Sequence, residues 1–176
     1  FDILKSKLPS KIDTIIEIAP GTNPKIGHAL AKMLFSGTLY IVDPDKNYIN
    51  SITKQYNSLI PNCTVIAIPK TMLDAIPDLP KKADLLISNH PLDDMLLNTF
   101  LSQHKRTDCL SISDSVSVKT IKPLWEQVAK ESEKAKQQLV EHVSNQWIHC
   151  INHLKPNIIA ISQYESWLFQ QLQMAL

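Results

Sequence analysis

Short apolar runs alternate with amphipathic stretches along the whole chain, and the two patterns predict different elements. Residues 14–18 form a β-branched run that predicts a buried first strand. Asn23-Pro24 then predicts a helix start, with Asn23 as N-cap and Pro24 at the first helical position. Behind it Ile26, Ala29, Leu30, Met33 and Leu34 recur at helical spacing. Residues 38–43 predict a second strand, broken by Pro44-Asp45. Residues 46–59 predict a helix with Ile49, Ile52, Tyr56 and Leu59 on one face. A third strand is expected over 64–68, followed by a loop carrying Pro69, Pro77 and Pro80, and a fourth over 83–88. A helix over 93–103 follows, and residues 104–120, polar and without period, read as a loop or an insertion. From Pro123 to Leu154 runs one long helical pattern, or two helices end to end. Its apolar face is Trp125, Val128, Ala129, Leu139, Val140, Val143, Trp147, Ile148, Ile151 and Leu154, and its middle, Lys130 to Gln138, is polar and solvated. Pro156 ends that pattern, residues 157–162 predict a fifth strand, and 165–175 a closing helix.

Strands alternating with helices predict an α/β fold, a doubly wound and mostly parallel sheet with helices on both faces. No internal repeat, linker or low-complexity tract interrupts the 176 residues, so a single domain over 1–176 is expected. Composition narrows the class of function. Apolar content of 44%, charged content of 20% and a net charge of +1 give no global pull toward nucleic acid or membrane. No apolar run approaches membrane-spanning length, and no signal peptide opens the chain. The three cysteines, Cys63, Cys109 and Cys150, are widely spaced and suggest no disulfide framework, which fits a reducing, cytoplasmic setting. The chain begins at Phe1 without an initiator Met, as a fragment or a processed chain would. Gly21, Gly27 and Gly37 are its only glycines. They read respectively as a turn residue, a point of close packing on the sheet, and a helix C-cap.

The candidate chemistry lies where the first strand ends. Glu17-Ile18-Ala19-Pro20-Gly21-Thr22-Asn23 places a carboxylate at the end of a buried strand, then a tight turn, then a helix N-terminus. That is how α/β folds cradle a nucleotide-like cofactor. Asp43, twenty-two residues beyond Gly21, closes the second strand at the position where such sites bind ribose hydroxyls.

Four segments together resemble the class I S-adenosylmethionine-dependent methyltransferases. Glu17 to Asn23 resembles that family's glycine-rich first motif, with Gly21 kept and Ala19 and Asn23 in place of its other glycines. Tyr40-Ile41-Val42-Asp43 resembles its second motif. Residues 83–92, ending in Asn89-His90-Pro91-Leu92, resemble its fourth strand and substrate-facing segment. His153-Leu154-Lys155-Pro156-Asn157 resembles its turn into the fifth strand, with Asn157 where a glycine is usual. The resemblance implies S-adenosyl-L-methionine as cofactor, held by Glu17, Ala19, Pro20, Gly21, Thr22, Asn23, Asp43, Pro44, Thr71 and Met72. Asn89 and His90 are the implied catalytic pair. The family's sheet usually ends with two further strands, and this chain stops before them.

Pro24 removes an N–H that a dinucleotide pyrophosphate would use, so NAD(P)-dependent oxidoreduction is the weakest reading. Leu92 stands where amine-methylating members carry an aromatic, which forfeits base stacking of roughly 1–3 kcal/mol. A nucleic-acid base as acceptor is thereby weakened and stays open, and the low net charge of +1 favours a small molecule. A degenerate, non-catalytic binding scaffold is the main rival. Each residue also has a bland reading. Glu17 would pair with a lysine, Asp43 would start a turn, Asn89 would cap the next helix, and Asp93-Asp94 would complement a helix dipole. His142, His149 and His153 lack the ligand set of a metal motif, and Cys63 and Cys150 read as buried apolar residues.

Overall fold

The computed structural model describes residues 11–104 and 118–163. The β-branched runs become five strands: β1 (Thr14–Ile18), β2 (Thr38–Val42), β3 (Thr64–Ile68), β4 (Leu85–Asn89) and β5 (Ile158–Ser162). All neighbours pair in parallel, in the order β3-β2-β1-β4-β5. The chain thus winds outward from β1 through β2 to β3, then returns to lay β4 on the other side of β1. That reversal is the switch point at which open parallel sheets bind ligands, at their carboxyl ends.

The helices are α1 (Lys25–Lys32), α2 (Lys46–Leu59), a single turn α3 (Met72–Ala75) running into a 3₁₀ turn at Ile76–Asp78, α4 (Leu92–Gln103), α5 (Val118–Lys130) and α6 (Glu133–Leu154). The expected α/β fold is what the structure contains. Of the two arrangements expected for the long helical pattern, the structure has two helices end to end, parted at Glu131-Ser132, where the Ser132 hydroxyl accepts from Ala135 N–H. The first of the two starts at Val118, inside the stretch read as a loop, with Pro123 within it rather than before it. The rest of that stretch, the closing helix and Cys109 lie outside the described residues.

Two compact units divide these elements. The first runs to Asn89 and resumes over Ile148–Ser162; it holds the sheet, α1 and α2. Period-two alternation puts Ile15, Leu39, Ile41, Leu85 and Ile87 on one face of the sheet. Ile26 and Leu30 from α1 and Ile49, Ile52 and Tyr56 from α2 close that core. The amino ends of three strands are stapled by one side chain. Asp84 accepts from the N–H groups of Asp13 and Thr14 at 2.8 and 2.9 Å, and from the Asn157 amide at 3.0 Å. Burial raises its pKa, but these donors outweigh it and hold the carboxyl below its usual range. The second unit, His90–Trp147 with Gln163, contributes α4, α5 and most of α6 among the described residues, and buries Leu96, Leu97, Phe100, Leu101, Leu124, Trp125, Val128, Leu139, Val143 and Trp147.

Five local expectations are corrected. Asn23 does not cap α1: the N-cap position falls on Pro24 and no side-chain cap bond forms. Pro24 itself lies outside the helical region, at φ −74° and ψ 55°, so the helix begins one residue later than expected and Asn23 is left in the turn. Gly37 is not a C-cap, because α1 ends earlier, in a Schellman arrangement. Phe35 N–H bonds Leu30 C=O, Leu34 N–H bonds Ala31 C=O, and Leu34 takes the left-handed position at φ 55°. Leu34 is accordingly 88% exposed rather than on the apolar face of α1, and Ile148, 54% exposed, leaves the face of α6. Gly37 instead lies against the chain at Asp13, where a Cβ would stand 2.3 Å from the carbonyl oxygen. Gly27 packs closely, but on a helix rather than the sheet: an added Cβ would come within 2.4 Å of the Tyr56 ring.

Candidate functional site

Within the first unit, the carboxyl ends of β1, β2 and β4 gather Glu17, the Ala19–Asn23 turn, Asp43, Pro44 and Asn89. Glu17 lies in register with Ile41 of β2 and Ile87 of β4, so strand pairing fixes its place at the centre of the sheet. Its side chain is 0% exposed. Tyr56 Oη donates to Glu17 Oε2 at 2.6 Å, while Glu17 Oε1 is buried without a hydrogen-bond partner among the described residues. Desolvation pushes this carboxyl up to about 8, with the Tyr56 bond pulling the other way. The lysine partner expected of a purely structural Glu17 is not there among the described residues; a phenol takes its place.

After β1 the backbone turns sharply. Ala19 N–H extends the ladder to Val42 C=O at 2.9 Å, and Ala19 and Gly21 both sit at positive φ, 52° and 72°. Such angles suit glycine and strain alanine. Pro20 is buried, whereas Gly21, Thr22 and Asn23 are exposed. Beyond a Tyr48 hydroxyl at 3.9 Å, nothing among the described residues crowds the space a Cβ on Gly21 would take. Tyr48, in the first turn of α2, is thereby placed at the turn. No sequence motif marks it, since its role depends on how α2 packs.

Asp43 is half-buried. One of its oxygens accepts from Asp45 N–H at 2.9 Å, closing the turn into α2, which Asp45 caps through Asn47 and Tyr48 N–H. Burial pushes Asp43 up to about 6, against the pull of that backbone bond. Pro44 is exposed beside it. After β3, Thr71 caps α3 by accepting from Asp74 N–H and also donates to the Asp74 carboxylate, and Met72 is buried. Ser88 Oγ donates to Ile18 C=O, tying the ends of β4 and β1 together.

Asn89 does not cap α4, whose N-cap position is Pro91 with no side-chain bond. Its carbonyl oxygen accepts instead from the Ser162 hydroxyl at 2.7 Å. His90 opens the second unit at φ 66°, with Nε2 3.7 Å from Asp93 Oδ2. Asp93 lies in the first turn of α4, as the dipole reading expects, yet it is buried, and its Oδ1 accepts from Gln163 at 3.1 Å. Cys150 is fully buried; Cys63 is half-buried and donates to Phe35 C=O. Among the described residues no three His, Cys, Asp or Glu side chains gather as a metal site, and no helix is long and apolar enough to cross a membrane.

No family model matches the sequence, and no curated protein matches it either. Solved structures do. One described as a putative methyltransferase from Thermoplasma acidophilum matches with a TM-score of 0.37 and 20% identity, over 54% of this chain and 40% of that one. Another, described as the DszA carbon methyltransferase, matches with a TM-score of 0.40 and 17% identity, over 60% of this chain and 28% of that one. This chain therefore spans well under half the length of either protein.

Proposed function

We propose that this chain is a methyltransferase-type domain that binds S-adenosyl-L-methionine at the carboxyl ends of β1 and β2 and serves methyl transfer to a small-molecule nucleophile. One observation carries the reading: Glu17, buried at the end of the central strand, keeps an oxygen without a partner beside an open turn. A buried acceptor left unmade costs about 1–3 kcal/mol, so it marks a place for a donor. The ammonium group of S-adenosyl-L-methionine is such a donor. A pyrophosphate is not, and Pro20 and Pro24 strip N–H groups from the very turn that would have to hold one.

On this reading Glu17 and the Ala19–Asn23 turn hold the amino-acid end. Asp43 takes the ribose hydroxyls beside Pro44, and Met72 offers the adenine an apolar contact with Thr71 next to it. When bound, the cofactor supplies an electrophilic methyl group. The protein's part is to orient the acceptor and exclude water. Asn89 and His90 are assigned to the acceptor on their likeness to the family's segment alone, His90 as the group that takes up a proton. Free thiols are at home in the cytoplasm, where we place the protein.

The rival reading, a binding scaffold without turnover, has one observation in its favour. The Asn89 side-chain carbonyl, which would accept from an amine, already accepts from Ser162, which leaves it one lone pair for a substrate. A melting experiment separates the two from a protein with no such site. S-adenosylhomocysteine should raise the melting temperature by mass action, and Asp43→Ala should weaken its binding by about 1.5–3 kcal/mol, the scale of a hydrogen bond to a charged group. No shift at millimolar ligand would refute the cofactor site. A shift with no turnover on any acceptor would leave the scaffold.

A further inference from the structure

Glu17 is an acid without a counter-charge among the described residues. Alternation along β1 puts its side chain on the same face as Ile15, in the core closed by α1 and α2. Every packed element can be checked for a group that would hold it ionised. From α2 comes Tyr56, neutral and donating to Oε2, with Tyr48 further toward the helix start. From α1 come Gly27 and Ile26, while its Lys25 and His28 are exposed. From β2 and β4 come Ile41 and Ile87 in register. Asp43, two residues beyond Ile41, is a second acid and no counter-charge. A carboxylate here would leave one oxygen without a cation or donor, whereas the neutral acid avoids burying a charge.

We propose that the free protein keeps Glu17 as the neutral acid and that a ligand's ammonium group binds at the end of β1 only as that proton leaves, so that affinity rises with pH. The inference rests on the cofactor reading above. The exchange balances: the Glu17 O–H bond breaks, the proton passes to solvent, and the carboxylate left behind pairs with the ammonium. Burial pushes the carboxyl up to about 8, so the linkage falls in the neutral range. Below that pH each unit of acidification weakens binding about tenfold; above it affinity levels off.

The test is calorimetric and needs no turnover. S-adenosylhomocysteine is titrated into the full chain between about pH 6 and about pH 8, in two buffers of different ionisation enthalpy, to count released protons. Methylthioadenosine, which keeps the ribose and adenine but lacks the ammonium group, is the control. The expected result near neutral pH is release of about one proton per S-adenosylhomocysteine, none for methylthioadenosine, and none for either ligand with Glu17→Gln. Tyr56→Phe removes the one donor that favours the ionised form while keeping the ring, so it should move the linkage to higher pH. It gives a second readout should Glu17→Gln fold poorly. S-adenosylhomocysteine binding with pH-independent affinity and no proton release would overturn the inference and leave the cofactor reading intact. If neither ligand binds at any pH, both fall.

Discussion

Replacing Glu17 with glutamine should change the pH dependence of folding far more than it changes folding in acid. Burial pushes the native carboxyl up to about 8, against 4.5 for an unperturbed one. A folded-state pKa above the unfolded one means the native protein holds a proton that the unfolded chain has released. Stability contributed by the neutral form is therefore complete below about 4.5 and is lost as pH rises toward about 8. The span between these two values corresponds to roughly 5 kcal/mol at about 1.4 kcal/mol per pH unit, an upper bound because small rearrangements let water in. The glutamine amide would keep an acceptor for Tyr56 and carry no charge at any pH. The stability of Glu17→Gln relative to the parent should thus climb by several kcal/mol between about pH 4 and about pH 8. Asp43, pushed up to about 6, acts in the same sense over a lower range but is common to both proteins and cancels in the difference. Urea melts of both proteins across that pH range measure it directly. Two stability curves running parallel at all pH values would show that Glu17 ionises freely in the native state, and would remove the basis for its neutral form.

Other substitutions test the packing. Gly27→Ala should destabilise by about 1–3 kcal/mol, because the new methyl group must displace the Tyr56 ring; a neutral result in a thermal melt would mean the helices part easily. Leu34→Gly should stabilise by about 0.5–1 kcal/mol, the relief of left-handed strain less the entropy of glycine, and a loss on denaturant titration would mean the exposed leucine contributes a contact. Asp84→Ala should cost about 1.5–3 kcal/mol near neutral pH, read by chemical denaturation, by releasing the starts of three strands. With its pKa lowered in the native state, that contribution is present above the unfolded value and fades as pH falls through the native one, so the gap between Asp84→Ala and the parent should narrow in acid.

The strands were legible because each is built on a run of branched apolar residues, and all but β5 stop within two residues of a proline; β1 and β3 fall on the expected residues. Helix ends were less so. The stop at Leu34 carries no glycine, so it leaves no mark in the sequence; the backbone takes a left-handed residue there because Phe35 is drawn back onto Leu30. The early start of α5 was hidden because the residues before Pro123 are polar and show no helical period, and because a proline reads as a helix start. At the site, the positions of Glu17 and Asp43 followed from strand length alone. What sequence could not show is that Glu17 has no counter-charge among the described residues and is met instead by Tyr56, thirty-nine residues away, whose ring the glycine in α1 admits. Asn157 looked like a departure from a glycine pattern; its amide turns out to hold Asp84. Asn89 looked like a free acceptor, and only the pairing of β4 with β5 brings Ser162 against it.

The strand order also sets a timetable for synthesis. β1 gains its neighbour on one side as soon as β2 emerges, but its other edge waits for β4, with Ile15 pairing Leu85 across seventy residues of chain. At about 5–20 residues per second a ribosome needs on the order of 4–14 s to deliver that partner. Until β4 arrives, β1 has an open edge, first beside β2 and then, once β3 has been made, as the rim of the half-sheet β3-β2-β1, where the apolar strand Thr14–Ile18 stands unpaired on that side. Such an edge is a template for stray pairing with other nascent chains. Yield on overexpression should therefore respond to translation rate and to holdase chaperones more than to the melting temperature of the finished protein.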